Sequence, residues 1–153
     1  MPKPSAADIA GMAAALEEAR RAASAGEVPV GAVVFRDGAV VARTHNESVA
    51  RRDPTAHAEL LAIQQALRAL TIDRLTDCTL YVTLEPCAQC AGAIVLAKVG
   101  RLVFGAYDHK AGMAGSVGDL LRHPALNHRP QVIGGVAEQE SGRLLQAFFR
   151  EKR

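Results

Sequence analysis

The sequence predicts an α/β protein, a three-layer α/β/α sandwich built on a central mixed five-stranded sheet. Three observations carry that expectation. Apolar runs of strand length alternate with segments whose apolar residues recur every three or four positions. Two of the runs are joined by Asp37-Gly38, a tight-hairpin dipeptide, so part of the sheet is antiparallel. The other runs alternate with helical segments, which lays helices on both faces of the sheet.

The first element is a helix over about 5–25. The stretch is rich in alanine with charges interspersed, and Ile9, Met12, Leu16, Ala19 and Ala23 recur at helical steps. Gly26 ends it. Residues 30–35 read as a buried strand and 39–44 as its hairpin partner. A polar loop over 45–54 holds Asn46 and the basic pair Arg51-Arg52. A second helix is expected over about 55–70, with Leu60, Ile63, Ala66, Leu67 and Leu70 as its apolar stripe. Residues 79–83 form a third strand. Pro86 stands just before a helix over about 87–98. A fourth strand covers 101–105, followed by a glycine-rich irregular stretch over 106–118. Residues 131–136 are the fifth strand and 138–150 the final helix. No internal repeat or low-complexity linker divides the chain, so residues 1–153 are expected to form one zinc-dependent domain.

Composition narrows the class. Hydrophobic content of 49% and charged content of 22% suit a soluble globular protein. No apolar run reaches the about eighteen residues of a membrane span. The amino end lacks the apolar core of a signal peptide. The expectation is a cytoplasmic protein with no membrane partner. Three cysteines, an odd number, argue against a disulfide framework. Cys78 lies in an apolar strand run and is expected to be a small buried hydrophobe. The net charge of +2 is too mild to signal nucleic-acid binding by itself. Arg143, Arg150, Lys152 and Arg153 bias the carboxyl end toward the basic, for which a solvated helix face is a simpler explanation than a phosphate contact.

The chemistry-bearing residues lie in two segments about thirty residues apart. The first is Thr55-Ala56-His57-Ala58-Glu59 and the second Leu84-Glu85-Pro86-Cys87-Ala88-Gln89-Cys90. One imidazole and two thiolates make three ligands, the number a catalytic zinc takes while leaving a fourth position for water. A structural zinc knuckle needs a second Cys-x-x-Cys or a His pair, and the chain has neither. A redox Cys-x-x-Cys has no use for His57 or Glu59. Spacing leaves His45 open as a fourth ligand, with nothing around it in favour. Both ligand groups fall at expected helix starts, where free N–H groups and the positive dipole end favour thiolate at Cys87 and Cys90. Glu59, two residues beyond His57, sits near the metal without sharing its ligand direction. It can take a proton from activated water and hand it on. The expected site is one zinc per chain on His57, Cys87 and Cys90, with Glu59 as acid/base.

The order His-x-Glu followed by Pro-Cys-x-x-Cys is the established signature of the zinc deaminases. More of the chain resembles the bacterial tRNA-specific adenosine deaminases, a branch of the cytidine deaminase superfamily. The resemblance covers about 27–150. It is carried by Glu27-Val28-Pro29-Val30-Gly31-Ala32-Val33, Asn46, Asp53-Pro54-Thr55-Ala56-His57-Ala58-Glu59 and Leu80-Tyr81-Val82-Thr83-Leu84-Glu85-Pro86-Cys87. Cys90-Ala91-Gly92-Ala93, Val103-Phe104-Gly105-Ala106, Gly115-Ser116 and Asn127-His128 extend it.

The resemblance implies a cytidine deaminase-like fold and hydrolysis of the wobble adenosine of a tRNA anticodon to inosine, with release of ammonia. It also implies a homodimer with the anticodon loop near the subunit boundary. By the same resemblance the zinc ligands fall on His57, Cys87 and Cys90, and the proton shuttle on Glu59. Asn46 would contact the flipped nucleotide and Asp108 the anticodon loop. Two places depart from the family pattern. Gln89 stands where methionine is common and is expected to face away from the metal. Tyr107 and His109 give the surroundings of Asp108 more aromatic character. A tyrosine there can stack on an unpaired base or simply lie on the surface. Phe148-Phe149-Arg150 can offer stacking and a phosphate contact, or pack one ring inward and expose the other.

Two other functions draw on the same residues. A small-molecule deaminase acting on guanine, cytosine or a nucleoside shares the metal chemistry. The Asn46 loop, the 106–118 stretch and the last helix are what would separate it. A non-catalytic RNA-binding module with a structural zinc would have no use for Glu59.

Overall fold

Helix α1 (Ala6–Ser24) begins at a capping box: the Ser5 hydroxyl accepts the Asp8 N–H, and the Asp8 carboxylate accepts the Ser5 N–H. Met12, Ala15, Leu16, Ala19 and Ala22 bury its inner face. This stripe is rotated from the expected one, because Ile9 is 61% exposed. Asp8 takes the inward place. Its carboxylate accepts the Tyr81 hydroxyl at 2.9 Å and the two terminal Arg101 guanidinium N–H groups at 2.9 and 3.0 Å. A buried charge is tolerated when it is paired and hydrogen-bonded in this way. The computed structural model describes residues 3–152; Met1, Pro2 and Arg153 lie outside them, including the last residue of the basic carboxyl end.

Five strands form one sheet: β1 (Gly31–Arg36), β2 (Ala39–His45), β3 (Cys78–Leu84), β4 (Arg101–Ala106) and β5 (Gln131–Ile133), in the order β2-β1-β3-β4-β5. β1 is antiparallel to β2 and β3, while β4 is parallel to β3 and β5. The sheet is therefore mixed, as expected. β5 stops three residues early. Gly135 takes φ +83°, and the Val136 N–H turns back to the Phe104 carbonyl at 3.1 Å.

Strand alternation divides the core into two layers. Leu80 and Val82 of β3 pack with Ala62 and Ile63 of α2 (Ala58–Leu70) and with Ile94 and Val95 of α3 (Ala88–Leu96). Tyr81 faces the other way, toward Met12 and Ala15 of α1. Each fully buried aliphatic side chain contributes about 1.5–3 kcal/mol. Gly31 lets α1 lie directly on the sheet, since a Cβ there would meet the Ala15 carbonyl oxygen at 2.1 Å. Helix α4 (Glu138–Glu151) joins α1 on that face, with an Arg20–Glu140 ion pair between them. The three layers match the expectation. Cys78 is buried in the α2/α3 layer, as a small hydrophobe should be. No helix among the described residues is long and apolar enough to cross a membrane.

Because β1 runs opposite to β2, β3 and β4, those three strands end at one edge of the sheet. Chains leaving that edge carry Asn46, Cys87 and Asp108, and β1 starts there after Val30. Ligands of open α/β sheets gather at such carboxyl edges.

Candidate functional site

Both ligand-bearing segments end as helix caps. The helix containing Glu59 starts at Ala58, three residues later than expected, because Asp53 holds the Thr55 N–H at 2.9 Å and its hydroxyl at 2.6 Å in a turn. His57 is the extended N-cap residue of α2. Cys87 is the extended N-cap of α3, and Cys90 lies in its first turn. Ile63, Ala66, Leu67 and Leu70 pack on the core as the expected stripe has them, while Leu61 and Ala62 bury more deeply than Leu60.

These caps bring the three donors together. Nδ1 of His57 lies 3.5 Å from Sγ of Cys87 and 3.7 Å from Sγ of Cys90. All three donor atoms lie within 4.8 Å of one another, so the group could hold a metal ion. Tetrahedral zinc, with Zn–S near 2.3 Å and Zn–N near 2.1 Å, sets sulfur and nitrogen ligands about 3.6 Å apart. The donor set fits that ion. His45 does not join the group; its Nδ1 pairs with the Asn46 carbonyl at 3.0 Å.

The Cys90 thiol hydrogen-bonds Cys87 and, with His57, lowers the Cys87 pKa to about 5; the same bond and burial push Cys90 up. Glu59 is 4% exposed, and burial is the largest factor pushing its carboxyl up to about 7. A dication beside it would draw the carboxylate form back.

Glu59, His57 and Cys87 line a cavity of about 250 Å³. Val28 and Val30 give it an apolar wall, and Asn46 and Asp108 also line it. The Asn46 amide N–H donates to the Ser48 hydroxyl at 3.2 Å, while its buried Oδ1 has no partner among the described residues. Asp108 turns one carboxylate oxygen back to the N–H groups of Lys110 and Ala111, at 3.0 and 3.1 Å.

A model of the MafB19-like deaminase family matches residues 7–153. The tRNA-specific adenosine deaminase of Bacillus subtilis (strain 168) is 49% identical over 142 residues, which are 93% of this chain and 88% of that protein. The chain belongs to the tRNA-specific adenosine deaminase family. A solved tRNA:A34 deaminase, from work on A-to-I editing at the wobble position of transfer RNA, superposes with a TM-score of 0.83 at 44% identity. The match covers 89% of this chain and 99% of that one. The guanine deaminase of Nitrosomonas europaea superposes with a TM-score of 0.78 at 28% identity, over 97% of this chain and 87% of that one.

Within this adenosine deaminase family member, Gln89 corrects an expectation. It does not face away from the ligand cluster. Its amide donates to the Thr55 carbonyl at 3.0 Å and to Cys90 Sγ at 3.7 Å, so it ties the His57 segment to α3. Tyr107 packs against Phe104 in a T-shaped pair with centroids 5.1 Å apart. Phe149 is exposed and Phe148 half-buried, with their rings at a steep angle and centroids 5.4 Å apart. Sequence reading missed two further acids, Glu27 and Glu85. Both are buried beside the cavity loops. The available signal was an acidic residue set against apolar neighbours, in Glu27-Val28-Pro29-Val30 and Leu84-Glu85-Pro86.

Proposed function

We propose that this protein hydrolyses adenosine to inosine at the wobble position of a tRNA anticodon, consuming water and releasing ammonia. The observation that carries this reading is the grouping of the His57, Cys87 and Cys90 donors at a cavity that His57, Cys87 and Glu59 line, in a tRNA-specific adenosine deaminase family member. His57, Cys87 and Cys90 would hold one zinc per chain, which would supply Lewis acidity and a water of lowered pKa. The soft sulfur and imidazole donors favour it over magnesium or calcium.

The residues then divide the work. Glu59 accepts a proton from the attacking water and delivers it to a ring nitrogen of the base. It then takes the remaining proton from the hydroxyl added to the base and delivers it to the amine as the carbon–nitrogen bond breaks, which leaves the carbonyl of inosine and free ammonia. Such a positioned acid/base contributes about 10²- to 10⁴-fold in rate. Val28 and Val30 pack the extruded base. The Oδ1 of Asn46, which has no partner among the described residues, accepts from a donor on the flipped nucleotide. Asp108 meets the anticodon loop at the rim, and Phe149 and Arg150 on α4 extend the RNA surface. A loop substrate suits this chemistry, because an unpaired base leaves the stack at little cost.

Residues 1–153 act as one deaminase domain. The tRNA substrate assigns the protein to the cytoplasm. It works as a homodimer, which fits the exposed apolar side chains Val49, Leu96 and Val117.

The test is ammonia release from tRNA, adenosine, guanine and cytosine in parallel. Release from tRNA, absent in Glu59→Ala, is the expected result. Turnover of guanine or cytosine with none of tRNA would assign the small-molecule reaction instead.

A further inference from the structure

Two buried carboxylates outside the metal cluster each hold one of the loops that border the cavity. Glu27 is 1% exposed. Its Oε1 accepts the Val49 N–H at 3.0 Å and its Oε2 the Ala50 N–H at 2.8 Å. Those amides begin a single turn, closed by Arg51 N–H to the Glu47 carbonyl at 2.9 Å and Asp53 N–H to the Ser48 carbonyl at 3.0 Å. Asn46 and Ser48 stand at the start of that turn and line the cavity.

Glu85 is 2% exposed and does the same for the other loop. Its Oε1 accepts the Asp108 N–H at 3.0 Å and the Ser116 hydroxyl; its Oε2 accepts the N–H groups of Ala114 and Ser116, each at 3.0 Å. Gly112 passes so close that a Cβ there would lie 2.3 Å from the Glu85 carboxyl carbon. Asp108 opens this loop.

Neither acid forms an ion pair among the described residues. A buried carboxylate must be compensated, and here loop amides and one hydroxyl supply all of the observed hydrogen bonds. Order in each loop is thereby coupled to one carboxylate. A glutamine in either place keeps the shape but replaces an acceptor oxygen by an NH₂ group aimed at N–H donors.

We propose that Glu27 and Glu85 are positioning residues: each fixes the loop that presents Asn46 or Asp108 to the substrate. The kinetic half of this inference rests on the deaminase reading above; the structural half does not.

The experiment compares zinc-loaded wild type, Glu27→Gln, Glu85→Gln and the milder Ser116→Ala by amide hydrogen exchange, zinc content and kinetics on an anticodon stem-loop RNA. Glu85→Gln is expected to speed exchange at least about tenfold over 108–116 and leave 47–53 unchanged, with Glu27→Gln giving the converse. Ser116→Ala, which removes one donor, loosens 108–116 to a smaller degree and keeps the proposal testable should a glutamine variant not fold. Both glutamine variants keep zinc and lose about 10- to 100-fold in kcat/KM, as displaced contacts do. Faster exchange spread evenly over the chain would overturn the proposal, as would local loosening with kcat/KM within twofold of wild type. If wild type turns over no RNA, the deaminase reading fails. The exchange pattern then still decides whether the two acids hold their loops.

Discussion

Sγ of Cys87 lies 3.5 Å from Nδ1 of His57, although thirty residues of chain separate them. Each sits at the N-cap of a different helix, and the two helices pack on the same face of the sheet. Donors at this distance are set for one shared cation. Cys87→Ser is expected to weaken zinc retention at least about tenfold in competition with a chelator, since serine is a poor match for a thiolate position. Undiminished zinc would mean that the ligand list is mistaken.

Glu59 lines the same cavity but is not among the three grouped donors. Glu59→Ala should therefore keep about one zinc per chain and its affinity for an anticodon stem-loop, and lose about 10²- to 10⁴-fold in turnover. Activity within a few-fold of wild type would remove the proton-shuttle role.

Gln89 bonds both the Thr55 carbonyl and Cys90 Sγ. Groups that orient metal ligands change affinity by about 10- to 100-fold when lost. Gln89→Met is expected to weaken zinc binding by about tenfold while leaving the thermal midpoint of the zinc-loaded protein near that of wild type. An affinity within twofold of wild type would show that the amide does no orienting.

Asp8 carries part of the acid dependence of the fold. Its hydrogen bonds to Arg101 hold its carboxyl well below the usual range, against the opposing effect of burial. Unfolded, the group titrates near about 3.9. Its stabilisation is complete above that value and is lost as pH falls through it toward the folded value. Thermal unfolding of wild type should drop more steeply than that of Asp8→Asn between about pH 4 and pH 2. Parallel slopes would contradict this linkage.

Asp8 also shows where reading a sequence stops. The order of the elements and the five-stranded mixed sheet are legible, because strand-length and helix-period patterns differ in step. The facing of α1 is not. Hydropathy turns Ile9 inward, yet a carboxylate that meets Tyr81 and Arg101 displaces it, and those partners are 73 and 93 residues away. The grouping of His57, Cys87 and Cys90 was legible from composition and order. Gln89 was not, because its acceptors depend on how two helix starts approach each other. Glu27 and Glu85 escaped for the same reason: their partners are backbone N–H groups, which carry no mark in a sequence. The early end of β5 follows from the positive φ of Gly135, one of two adjacent glycines whose conformations only the fold decides.

The most direct measurement is to incubate the zinc-loaded protein with a tRNA pool and sequence it before and after. New inosine at the first anticodon position of a subset of tRNAs, absent with Glu59→Ala, is the predicted result. An unchanged pool from protein that holds its zinc, with free guanine or cytosine deaminated instead, would contradict it.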